Sequence, residues 1–327
     1  MPDVKPDPHV QPLKFLPILY VLFTVLGMWA IYMLCHCLPR IQLGVPEHAV
    51  DFAVRKHAYI ECASFNVVTV LLLASYVMCI LTHPGEIPLN DPNWEYSATP
   101  DPGQNIVKEK KKSGDRRHCK WCGKYKPDRC HHCRTCRICI LKMDHHCPWI
   151  YNCVGFHNYK YFFLVTMYAA IACQIISITM WDSVYKSVDD RSPFFPMFCL
   201  VFGQTLAFFL SVMLSTFWAF HFYLMCSAMT TIEFCEKNLP KQITENEGCD
   251  APMDSAYNQG TYLNICQVMG YNPLLWLLPV PTTPGNGLAY LDESSPLLAS
   301  DKLQPDLEAT RKAPRSAMKG SRRGNRC

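Results

Sequence analysis

The sequence predicts an all-α integral membrane protein with four transmembrane helices and a small cytosolic Cys-rich module between the second and the third. Three observations predict it. Half of the 327 residues are hydrophobic and only 18% are charged, well under the charged share usual in soluble domains. Four windows, Phe15–Cys35, Cys62–Leu81, Tyr161–Trp181 and Ser192–Phe220, contain no Asp, Glu, Lys, Arg or His. Eight of the nineteen cysteines fall between Cys119 and Cys153, interleaved with histidine. The net charge of +4 is too small for an overall basic field, so nothing argues for a nucleic-acid partner.

At about 1.5 Å per helical residue, about 20 residues cross a hydrocarbon core about 30 Å thick, and each window reaches that length. A soluble core rarely excludes charge over four such lengths, so residues 15–81 are assigned to helices 1 and 2 and residues 161–225 to helices 3 and 4. Residues 1–14 form a polar leader. The first window is too long for a signal-peptide core and lacks a small-x-small cleavage site, so it is expected to anchor. The connection from His36 to Glu61 is short and mixed, with no chemistry read in it. Pro84, Pro88, Pro92, Pro100 and Pro102 mark an irregular linker into the Cys-rich module, which with that linker spans residues 82–160.

Lys and Arg set the orientation. Fourteen of them lie between Lys108 and Lys160, most densely from Lys108 to Arg117, against only Lys186 and Arg191 between helices 3 and 4. The module and both termini are therefore expected in the cytosol, and the basic run is read mainly as a solvated topology signal. Within the spans, Asn66, Gln174 and Gln204 are candidates for interhelical hydrogen bonds. Residues 226–281 form a polar cytosolic segment whose apolar stretch Pro273–Pro281 is too short to span, with Trp276 suited to a membrane interface. Residues 282–327 are expected to form a disordered basic tail with an acidic dileucine pattern at Glu293, Leu297 and Leu298.

Cys-x-x-Cys steps fall at Cys119/Cys122, Cys133/Cys136 and Cys136/Cys139, close to His131, His132, His146 and Cys153. Tetrahedral zinc takes four Cys or His ligands, and a two-residue gap lets one tight turn present two thiolates. The module thus holds ligands for two closed zinc sites in a reducing compartment. Spacing does not distinguish His131 from His132 as a ligand. A zinc ribbon of this kind does not by itself imply an enzyme. A non-enzymatic membrane adaptor is the competing reading, and a metal transporter is disfavoured because no carboxylate or His lies in midmembrane.

Asp144-His145-His146-Cys147-Pro148-Trp149, followed by Asn152-Cys153-Val154-Gly155, changes that reading. The run from Cys119 through Phe162, with Pro127, Arg129, His132-Cys133 and Asn158, resembles the DHHC palmitoyltransferase family. Thr230-Thr231-Ile232-Glu233 resembles that family's TTxE motif, and Asn264 to Gly270 its C-terminal Asn-containing motif. The resemblance implies one structural zinc on Cys119, Cys122, His132 and Cys139, and a second on Cys133, Cys136, His146 and Cys153, with Cys130 a bystander. It implies Cys147 as nucleophile, His145 as its base and Asp144 as the group that orients the base. Trp149 would sit at the mouth of a site for the acyl chain, while Thr230, Thr231, Glu233 and Asn264 would dock the C-terminal segment.

The implied reaction is protein S-acyl transfer of palmitoyl type. Acyl-CoA acylates Cys147, and a substrate cysteine then takes the acyl group, a ping-pong sequence that makes the chain itself transiently a lipoprotein. The implied partners are acyl-CoA, proteins with cytosolic membrane-proximal cysteines, and membrane lipid. The implied location is the endomembrane system, Golgi or ER before plasma membrane or vacuole.

Overall fold

A computed structural model describes residues 15–97, 107–189, 193–236 and 255–290. The leader 1–14, the dileucine pattern and the basic stretch from Lys302 to Arg326 lie outside the described residues. Four helical segments are long and apolar enough to cross a membrane: Leu16–Ile41, Phe52–Leu81, Tyr159–Asp189 and Phe194–Cys226, of 26, 30, 31 and 33 residues. The first is α1 (Leu16–Ile31), a π-helical stretch (Tyr32–Cys37) and α2 (Leu38–Ile41); the second is α3 (Phe52–Leu81). The third joins α4 (Tyr159–Thr179) to α5 (Trp181–Asp189), and the fourth is α6 (Phe194–Cys226).

These helices outrun the charge-free windows because caps, not charge, decide where they begin. Asp51 accepts hydrogen bonds from the backbone N–H groups of Ala53 and Val54 at 3.0 and 3.1 Å, so α3 starts ten residues before its window. Arg55 donates to the carbonyls of Ile41 and Gln42, each at 2.9 Å, and so ties off the end of α2. The connection from His36 to Glu61 is therefore mostly helical.

The α4 helix packs against both α3 and α6. Polar side chains clip the bundle together: Trp29 donates to Asn66 at 3.0 Å, Gln174 to Ser215 at 2.8 Å and Gln204 to the carbonyl of Ser177 at 2.9 Å. Each bridges two spans in a medium without competing water. A Cβ on Gly203 would lie 2.8 Å from Ile31 Cγ2, so the missing side chain lets α6 approach α1.

The module between α3 and α4 is three antiparallel hairpins: β1 (His118–Cys119) with β2 (Lys124–Tyr125), β3 (His131–Cys133) with β4 (Ile138–Ile140), and β5 (His145–Cys147) with β6 (Asn152–Val154). Strands this short have little stability of their own. One apolar cluster runs from the module into the bundle, joining Cys147, Ile150 and Val154 to Leu72 and Tyr76 of α3 and to Tyr161–Leu164 of α4. Asn158 closes the junction, accepting from Gly155 N–H at 2.9 Å and donating to the Cys153 carbonyl at 2.8 Å.

After α6, residues 231–236 are helical, and α7 (Thr261–Met269) packs against α6 and α4. Lys160, 1% exposed, anchors the segment that follows α7. Its ammonium donates to Thr282 Oγ1 at 2.7 Å and to the carbonyls of Leu275 and Val280 at 2.9 and 3.2 Å. Thr282 and Thr283 also donate to the carbonyls of Met269 and Val268 at 2.6 and 2.9 Å. Packed structure therefore continues through Tyr290, beyond the residue 282 at which the sequence reading begins its disordered tail. Replacing Lys160 with Met leaves these buried acceptors without a donor, at about 1–3 kcal/mol per unsatisfied group. Limited proteolysis should then cut between residues 255 and 290 at least several times faster than in the wild type.

Candidate active site

The hairpins assemble two metal sites by a repeated device. After each Cys-x-x-Cys the chain turns left-handed, at Gly123 (φ 62°) and at Arg137 (φ 60°). The turns close with matching hydrogen bonds, Gly123 N–H to Cys119 O at 3.0 Å and Arg137 N–H to Cys133 O at 2.7 Å. Each turn presents two sulfurs to a His/Cys pair that lies directly across the next hairpin. His132 faces Cys139 in the β3–β4 register, and His146 faces Cys153 in the β5–β6 register.

One cluster therefore holds Cys119, Cys122, His132 and Cys139, and the other Cys133, Cys136, His146 and Cys153, with all ligand atoms of a cluster within 4.8 Å of one another. Nδ1 of His132 lies 3.5, 3.4 and 3.8 Å from the sulfurs of Cys119, Cys122 and Cys139. Nδ1 of His146 lies 3.7, 3.6 and 3.5 Å from those of Cys133, Cys136 and Cys153. A tetrahedron built on Zn–S of about 2.3 Å and Zn–N of about 2.0 Å has edges of about 3.5–3.8 Å, so the donor sets fit zinc. Crowding splits the sulfurs of the second cluster: the hydrogen bond with Cys153 pushes Cys136 down to about 5, and the same contact pushes the Cys153 thiol up.

Strand alternation resolves the choice between His131 and His132. Successive side chains of β3 point to opposite faces, so His132 reaches the first cluster while Cys133 reaches the second. His131 belongs to neither cluster. Burial, with Arg117 and Lys126 nearby, lowers it to about 4. Cys130 is fully buried beside Cys139 but outside both clusters.

The same alternation organises β5. His146 points to metal, so His145 and Cys147 share the other face. Asp144, 0% exposed, accepts from His145 Nδ1 at 2.7 Å, which leaves Nε2 for its hydrogen bond with the Cys147 sulfur. Burial alone would lower the His145 pKa, but Asp144 and Cys147 outweigh it and carry it up to about 9. Burial would raise Asp144, but the hydrogen bond from His145, its charge and the Thr231 N–H hold the carboxyl below its ordinary range. The contacts are those that a nucleophile, a base and an orienting carboxylate would make.

The segment after α6 completes the carboxylate's shell. Thr231 donates to Asp144 twice, from its N–H at 2.9 Å and from its hydroxyl at 2.8 Å. Glu233 pairs with buried Arg129 through two hydrogen bonds of 2.6 and 2.8 Å, and Arg129 also donates to the Ala228 carbonyl at 2.9 Å. Thr230 and Glu233 cap each other, Glu233 Oε2 accepting from Thr230 N–H at 2.9 Å and Thr230 Oγ1 from Glu233 N–H at 3.2 Å. Asn264 donates to the carbonyl of Cys226, the last residue of α6, at 2.7 Å. Trp149 is exposed at the tip of the β5–β6 connection, its ring 6.0 Å from that of Tyr20 in α1. Its carbonyl accepts from Tyr76 at 2.7 Å.

The profile of the DHHC palmitoyltransferase family matches residues 112–238. "Probable protein S-acyltransferase 15" of Arabidopsis thaliana is 32% identical over 234 residues, covering 69% of this chain and 86% of that protein. The chain belongs to the DHHC palmitoyltransferase family. The palmitoyltransferase ZDHHC15 of Xenopus laevis is 30% identical over 320 residues, 90% of this chain and 88% of that protein. The mouse palmitoyltransferase ZDHHC15 is 37% identical over 209 residues, 60% of this chain and 58% of its own length. For a DHHC protein the match joins the module, α4, α6 and the Thr230–Glu233 turn in one unit.

Sequence reasoning missed several contributors. Tyr76 and Lys160 sit at or beside charge-free windows, where a lone tyrosine or lysine signals only a span end. Tyr257 stacks on the Arg129 guanidinium at 4.6 Å, and no motif marks it. Arg116, part of the run read as solvated, is buried between Trp94 and Tyr125 at 4.9 and 4.5 Å from their ring centres.

Breaking a buried ion pair by removing one partner costs about 3–5 kcal/mol. Glu233→Gln should therefore lower the thermal midpoint of the purified protein by several degrees, whereas Glu236→Gln, outside this pair, should leave it within a degree or two. Thr231→Val should leave the midpoint closer to wild type but slow acylation of Cys147 at least tenfold, measured as a single-turnover rate, because Asp144 loses the hydroxyl that fixes it.

Proposed function

We propose that this DHHC protein transfers a long-chain acyl group of palmitoyl type from acyl-CoA to protein cysteines through an acyl-Cys147 intermediate. The observation that carries the reading is the Asp144–His145–Cys147 contact on the face of β5 turned away from the metal ligands.

In the first half-reaction the Cys147 thiol gives its proton to His145 Nε2, and Asp144 stabilises the imidazolium through Nδ1–H. The thiolate attacks the thioester carbonyl of acyl-CoA. The tetrahedral intermediate collapses, the C–S bond to CoA breaks, and the leaving thiolate takes the proton back from Nε2. In the second, a substrate cysteine gives its proton to His145, attacks the acyl-Cys147 carbonyl and displaces Cys147, which His145 reprotonates. One thioester is broken and one formed in each half, so little bond energy is exchanged and catalysis rests on ionisation and placement.

Zinc on the two Cys₃His clusters would fix the three hairpins, and closed sets of four protein ligands leave no open position for water. Thr230, Thr231, Glu233 and Asn264 position the C-terminal segment, and Trp149 would meet the acyl chain where it enters from the bilayer. Each buried CH₂ contributes about 0.8 kcal/mol, which favours long chains. The Lys/Arg bias supports a cytosolic module and cytosolic termini, with an endomembrane address, Golgi or ER. Substrates would then be proteins with cytosolic cysteines near the membrane.

Purified protein given a clickable palmitoyl-CoA should acquire a label released by neutral hydroxylamine. Cys147→Ala should abolish label and transfer while the metal content stays at the wild-type value. His145→Ala should slow acylation by about 10²–10⁴, with partial recovery as pH rises and the thiol ionises unaided. Transfer by Cys147→Ala at the wild-type rate would sink the reading.

A further inference from the structure

A second imidazole lies beside the first. His221 of α6 is 1% exposed, and its ring centre is 6.0 Å from that of His145. Phe162 touches both, with ring centres 5.0 Å from His145 and 5.0 Å from His221, each edge-on. Phe217 also packs edge-on against His221 at 4.7 Å. Aromatic edges thus hold this imidazole in one plane beside His145.

A buried imidazole in an aromatic box needs its polar atoms satisfied, and Tyr159 Oη lies 3.3 Å from His221 Nδ1. Tyr159 is itself 5% exposed, and among the described residues its hydroxyl has no other hydrogen-bond partner. This hydrogen bond joins α4 to α6 and fixes the plane of the imidazole beside His145.

We propose that His221, fixed in ring plane by its hydrogen bond with Tyr159, is a positioning residue for His145: directly and through Phe162, which touches both rings, it holds the imidazole of His145 in place. The proposal rests on the acyl-transfer reading above. It assigns to α4 and α6 a direct part in aligning the reaction, beyond enclosing an acyl chain. Neither residue touches the metal clusters.

The test is the single-turnover rate of Cys147 acylation by a fluorescent palmitoyl-CoA, with metal content and thermal midpoint measured on the same samples. His221→Phe keeps an aromatic ring and loses the hydrogen bond to Tyr159. Tyr159→Phe keeps the packing and loses the hydroxyl. His221→Asn places an oxygen near the Nδ1 position. The two Phe variants should each slow acylation by about ten- to a hundredfold, the scale of a small misplacement near reacting atoms. The acyl-CoA concentration giving half-maximal rate and the metal content should not change. The double variant should be no slower than either single one, and His221→Asn should recover most of the rate. Wild-type rates in the Phe variants, losses that multiply in the double variant, or slowing that tracks lost metal or stability would each overturn the proposal. If the wild-type protein is itself not acylated, the acyl-transfer reading has failed rather than this refinement of it.

Discussion

A β-strand sends successive side chains to opposite faces, and on β5 that constraint separates the candidate metal ligand His146 from His145 and Cys147. His146 is spent on the cluster with Cys133, Cys136 and Cys153, while its neighbours His145 and Cys147 emerge together on the reverse face. His145 and Cys147 stand two apart, and His146 between them ties the strand to the cluster. The cross-strand partners repeat the logic: Cys153 opposes His146 on the metal side, and Asn152 opposes Cys147. Asn152 in turn donates to the carbonyl of Thr82, just past α3, at 3.0 Å. A hairpin of three-residue strands, unstable alone, is thus fixed on one face by ligands and at its edge by the membrane bundle.

Asp144 extends this order into the C-terminal segment. A fully buried carboxylate is tolerated only when its oxygens are satisfied, and two of its three hydrogen bonds come from Thr231, 87 residues away in sequence. Arg129 and Glu233 hold that segment in register, with Tyr257 and Tyr290 over the guanidinium at 4.6 and 5.3 Å. Through Asp144, the chain after α6 therefore reaches the imidazole of His145. Lys160 and Asn264 secure the same segment to α4 and α6.

Length and charge made the four spans legible, because excluding ionisable side chains over some 20 residues is a demand only a membrane imposes. The ligand types were legible in their Cys-x-x-Cys spacing. Pairing across hairpins was not, since whether His131 or His132 binds depends on register, which spacing does not encode. Helix ends were misplaced because Asp51 and Arg55 cap helices inside stretches that look merely polar. His221, Tyr159 and Lys160 escaped notice because their partners are distant in sequence, and a polar residue at a span's edge carries no local pattern. Thr282–Tyr290 looked like tail because its composition is polar, whereas its threonines satisfy the carbonyls that end α7.

The central claim is that the two clusters shape the site and take no part in the reaction. It is tested most directly by exchanging the metal for cobalt or cadmium, which keep tetrahedral thiolate coordination but differ from zinc as Lewis acids, and measuring the single-turnover acylation rate of Cys147. The account predicts a thiolate-type tetrahedral spectrum for the cobalt protein and a rate within about threefold of the zinc protein for both metals, since closed sites touch no reactant. A rate that follows the identity of the metal while the fold stays intact would contradict it.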